Sequence, residues 1–117
     1  MTGLADVLQT LAGRPGVDAV VLVSPDGLPI QQAGQARVDA DAVAALAATA
    51  VQHAGRLTEG AERGAWRTVL LEAEGGTLIL SEAGAGNVLL LLVAASAPFG
   101  DLLFELRQER PALGALL

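Results

Sequence analysis

The sequence contains no cysteine, and its seven basic residues are all arginine. Without cysteine there is no disulfide framework and no thiolate metal site. The single histidine, His53, has no second imidazole to share a metal with, and no partner spacing supports a His-dependent triad. Charge is also scarce, at 17% of residues, and the formal net charge is −6. An acidic chain with scattered arginines is a poor match for nucleic acid, whose phosphates call for clustered positive charge. The longest strongly apolar run is Val88 to Ala95, VLLLLVAA. It is far shorter than the roughly 20 residues of a membrane span. The N-terminus lacks the basic, apolar and small-residue order of a signal peptide. Together these absences lead us to expect a cytoplasmic chain with no metal, no cofactor, no nucleic acid and no membrane insertion.

What is abundant is aliphatic. Hydrophobic residues make up 52% of the 117 positions, the reverse of a disordered composition. The length suits one domain, residues 1–117, with a single core. Few charges and much aliphatic surface suggest that part of it is hidden against another chain.

The stretch VVLVSPDGLPI, residues 20–30, poses the question of chemistry most sharply. Ser24 and Asp26 have no histidine nearby, and the glycine pattern of a nucleophile elbow is missing. Proline, aspartate and glycine in succession suit a turn. We therefore read a hairpin between a strand over 17–24 and a weaker edge strand over 28–33, the latter because Pro29 cannot donate to a ladder. Before it, Leu4, Val7, Leu8 and Leu11 have helical spacing, with Thr2 placed to cap and Gly13 to terminate. Residues 39–60 form the longest helical segment, capped by Asp39 or Asp41. One of its stripes carries Val43, Leu46, Ala47, Ala50, Ala54 and Leu57. Another is small: Ala45, Ala48, Gln52 and Gly55. Such a stripe lets a second helix approach closely, and it equally suits packing on the chain's own sheet.

Three further strands are expected over 66–73, 77–82 and 87–95, joined by turns at Gly75-Gly76 and Gly84-Ala85-Gly86-Asn87. The second turn is no phosphate loop, since it precedes a strand and has no lysine. A last helix spans 98–110, with Pro98 at its first position and Pro111 ending it. The order α-β-β-α-β-β-β-α describes an α+β fold on one five-stranded antiparallel sheet, with strands 17–24 and 87–95 in the middle. Carboxylate pairs fall at Asp39/Asp41, Glu59/Glu62 and Glu72/Glu74, where capping, a helix end and a solvated hairpin account for them. Arg56, Arg63 and Arg67 cluster in sequence between the long helix and the third strand. They read either as ordinary surface arginines or as a contact for a partner. Trp66 is the only tryptophan. It reads as core or as an interface residue.

Four segments in this order resemble the Roadblock/dynein light chain family, above all its small bacterial, MglB-like members. They are LAGRPGVDAVVLVSPDGLPI, DADAVAALAATAVQHAGRL, WRTVLLEAEGGTLILSEAGAGNVLLLLVA and PFGDLLFELR, and they cover nearly the whole chain. The resemblance implies the same element order, with helices on both faces of the sheet. It implies a dimer, in which the long helices pack together and the third strands pair edge to edge. The residues concerned are Ala45, Ala48, Gln52 and Gly55 on the helix. On the strand they are Trp66, Arg67, Thr68, Val69, Leu70 and Leu71. It further implies a non-enzymatic module that binds and regulates a Ras-like small GTPase without inserting an arginine finger. His53, Arg56 and Arg63 are then candidates for partner contact, and no catalytic residue is assigned. A scaffold for another signalling or motility protein is the alternative reading. A small-molecule sensor is a third, which the nearly all-aliphatic strands disfavour.

Overall fold

A computed structural model describes residues 3–35 and 37–117. Its elements are α1 (Leu4–Ala12), β1 (Val17–Val23), β2 (Pro29–Gly34), α2 (Ala40–Gly60), β3 (Thr68–Ala73), β4 (Gly76–Gly84), β5 (Asn87–Ala94) and α3 (Gly100–Leu116). The five strands form one antiparallel sheet in the order β2-β1-β5-β4-β3. The aliphatic strands β1 and β5 are interior, as their continuous apolar runs require, because each is covered on both faces. Pro29 lies on an edge strand, where a missing N–H is tolerated.

Alternation along the strands divides the interior into two layers. Val20, Leu22, Ile79, Leu89 and Leu91 face α1 and α3. Val21, Val23, Leu80, Val88 and Leu90 face α2. The turn at Ser24 is structural. The Ser24 N–H donates to the Leu28 C=O, the Leu28 N–H donates to Ser24 Oγ at 3.1 Å, the Gly27 N–H donates to the Ser24 C=O, and Gly27 takes φ +83°. A side chain at Gly27 would press on Ala45 and Ala48 of α2, so glycine there also lets the hairpin approach the helix. Asp39 caps α2 by accepting from the Ala42 N–H at 3.2 Å. At α1, Gly3 holds the cap position and its N–H donates to Asp6 Oδ2. Thr2, expected as the cap, lies outside the described residues.

Two expectations are corrected, both at the last helix. Pro111 does not end the last helix: α3 runs on to Leu116 with the proline inside it. The continuation is held by packing, since Leu113 is buried beside Leu102 and Leu106 in the α1/α3 layer. Pro98 precedes the helix, whose cap position is Phe99. On α2 the sheet-facing stripe is Ala44, Ala47, Ala48 and Val51, one position away from the leucines. Alanines bring the helix close to the sheet and leave Leu46 and Leu57 exposed on the far side.

Arg14, in the loop after α1, ties that loop to α3 through Glu105. Its Nε and Nη2 donate to Oε1 at 3.0 and 2.8 Å. The hydrogen bond that Arg14 donates to Glu105, and then the carboxylate's charge, raise the Arg14 pKa above the ordinary guanidinium value.

Candidate interaction surface

The sheet is covered unevenly. On the α1/α3 face, two helices sit over the strands. On the other, α2 packs on β1, β2 and β5. The far end of that face, beneath β4 and β3, carries Val69, Leu71 and Leu78. Val69 and Leu78 are only partly covered, and Leu71 is 46% exposed. β3 pairs with β4 on one side and forms the sheet edge on the other. A six-residue edge strand, TVLLEA, without proline or lysine, presents alternate N–H and C=O groups outward. Leu70 faces the opposite side, against Ile79.

The outer surface of α2 continues this open region. Leu46 and Leu57 are 69% and 72% exposed, and His53 stands exposed between them at helical spacing. The small-residue stripe is split between two sides of the helix. Ala45 and Gln52 are exposed, whereas Ala48 is buried and Gly55 half-buried against Trp66. Trp66 itself precedes β3 and packs partly into the α2 layer. Sequence reasoning did not single out Leu46 and Leu57 as surface residues. Spacing put them on one apolar stripe with Val43, Ala47, Ala50 and Ala54, and the alanine register on the sheet turns them outward.

The expected arginine cluster is partly assembled. After α2, Glu62 adopts φ +59° and the Arg63 N–H closes onto Thr58 C=O at 2.8 Å, folding the chain back. This brings Arg63 and Arg67 to the rim of an open concavity of about 880 Å³. Arg56, exposed on α2, is not among its lining residues, but Arg107 and Arg110 of α3 are. Their spacing in the sequence, three apart on one helix, was the available signal. Among the described residues no three metal-ligating side chains cluster, and no helix is long and apolar enough to cross a membrane.

Comparison with known proteins places this geometry. The Roadblock/LC7 domain model matches residues 4–94. A Roadblock/LC7 domain from Streptomyces avermitilis is 29% identical over 96% of this chain and 98% of its own, with a TM-score of 0.81. MglB of Myxococcus xanthus is 22% identical, covering 94% of this chain and 90% of its own, with a TM-score of 0.86. The gliding protein MglB of Thermus thermophilus is 18% identical, covering 99% and 93%, with a TM-score of 0.87. The two MglB likenesses are likenesses of fold. No curated protein matches the chain. With the family model spanning every strand of the sheet and α1 and α2 besides, the chain belongs to the Roadblock/LC7 domain family.

Proposed function

We propose that residues 1–117 form one non-enzymatic Roadblock module that pairs with a second copy of itself, and that the pair binds and regulates a Ras-like small GTPase in the cytoplasm. The observation that carries the pairing is the half-covered face. α2 sits over β1, β2 and β5, while β3 offers a free edge and the adjoining surface under Val69, Leu71 and Leu78 lacks a helix. A second copy joined antiparallel at β3 would extend the sheet. Its own α2 would then lie beside Leu46 and Leu57, removing their apolar area from water. Edge pairing involves the backbone of Val69, Leu70 and Leu71, with Trp66, Arg67 and Thr68 at the entrance of the strand. Ala45 and Gln52 meet the partner helix; Ala48 and Gly55 act from beneath, by letting α2 lie close to its sheet.

Regulation of a GTPase is supported by membership in the Roadblock/LC7 family and by the MglB-like likeness of the fold. His53, Arg56 and Arg63 are the proposed contacts, as exposed polar groups beside the apolar face. The test is capture on the immobilised protein from lysate of the source organism, with a non-hydrolysable GTP analogue and, separately, with GDP. A small GTPase retained preferentially in one nucleotide state supports the reading. A partner retained regardless of nucleotide, and unrelated to GTPases, shifts the function to a scaffold.

A further inference from the structure

Four of the chain's seven arginines line one concavity, in a protein whose net charge is −6. Arg63 and Arg67 come from the segment between α2 and β3; Arg107 and Arg110 come from α3. Among the described residues no carboxylate lines it. Among the described residues the one salt bridge is Arg14 with Glu105, so none of the four is paired with a carboxylate there. Like charges held together repel unless a counter-charge sits among them.

Arg110 is the anchor. Its Nη2 donates to Thr68 Oγ1 at 3.4 Å and to Ser81 Oγ at 3.2 Å, and Ser81 is buried in β4. Both acceptors are neutral, so the bonds orient the guanidinium without cancelling its charge. Its Nε is buried with no hydrogen-bond partner. A guanidinium stays protonated, so a buried N–H there is a standing demand for an acceptor. The rest of the fork is the group best suited to bind phosphate oxygens in pairs.

We infer that this concavity binds a small molecule bearing a diphosphate group. Four arginines lining one hollow match a compact polyanion, and the Thr68 hydroxyl, which accepts from Arg110 and keeps its own proton, adds a donor at the wall. Trp66 supplies an aromatic surface beside them. An acidic peptide is the weaker fit, because its carboxylates are spread along a chain whereas these arginines surround one hollow. The lining comes from one chain, and it shares Trp66, Arg67 and Thr68 with the proposed pairing edge and Arg63 with the proposed partner contacts, so the mass of the protein in solution is read beside the titration.

Trp66 is also the only tryptophan, and the chain has no tyrosine, so all of the tryptophan emission comes from the wall of this site. The experiment titrates the full chain with inorganic pyrophosphate and with ADP, in moderate salt, following that emission and, in parallel, heat. The expected result is saturable binding of both probes, with orthophosphate and sulfate at least tenfold weaker. Arg67→Gln and Arg107→Gln, at exposed positions, should each weaken pyrophosphate at least tenfold while the fold, read by circular dichroism, is unchanged. Arg110→Gln should weaken it further. The inference is overturned if neither probe gives saturable heat, or if the Arg67 and Arg107 variants bind as tightly as the parent. It is equally overturned if a glutamate-rich peptide binds and pyrophosphate does not, which would assign the surface to an acidic protein segment.

Discussion

At the scale of single residues, backbone geometry and packing decide more than identity. Gly76 begins β4 at φ +148°, and a Cβ there would collide with the Val93 carbonyl oxygen of β5. Gly76→Ala should therefore cost about 2 kcal/mol of stability, read as a lower urea midpoint. Gly60, at the end of α2, has nothing within 4 Å of the same added atom. Gly60→Ala should be neutral or stabilising by up to about 1 kcal/mol in the same assay. The sequence puts Gly76 in a turn and Gly60 at a helix end, but does not say which of them is crowded. The positive φ of Gly76 and its place against β5, opposite Ala94, separate the two. The same holds for the arginines. Arg63 and Arg67 stood out by their nearness in sequence, while Arg107 and Arg110 reach the same hollow from a helix some forty residues on.

At the scale of elements, local rules read most of the chain. Turn chemistry at Pro25-Asp26-Gly27 and the aliphatic runs of β1 and β5 were legible because each depends on neighbours in sequence. α3 was misread because a tertiary contact outweighs a local penalty. A proline inside a helix lacks an N–H and crowds the preceding turn, at a cost of about 3 kcal/mol. Here Leu113, buried beyond the proline, holds the last turn on the sheet. Leu113→Ala should destabilise the protein by about 3 kcal/mol and loosen residues 112–117, seen as faster amide exchange there. Pro111→Ala should act in the opposite sense, raising stability by about 1–3 kcal/mol in thermal unfolding. The register of α2 was hidden for a different reason. In an alanine-rich helix several stripes compete, and the one chosen is the one that lets the backbone lie closest to β1 and β5.

At the scale of the whole molecule, pairing would satisfy a composition that one copy does not. The aliphatic surplus is mostly absorbed by two packed layers, yet Leu46, Leu57 and Leu71 remain in water along one side of the chain, next to an unpaired strand edge. Their replacement by charge should cost the single chain little, because exposed positions tolerate it. Leu57→Glu should thus keep the circular dichroism spectrum and lose self-association. The most direct test of the account is the mass of the unmodified protein in solution by sedimentation equilibrium, at micromolar concentration, beside Leu57→Glu. One chain weighs 11.8 kDa. The account predicts twice that mass for the parent and the single-chain mass for the variant. A parent that sediments as one chain across the micromolar range would contradict it, leaving the open face of β3 and α2 without the partner proposed for it.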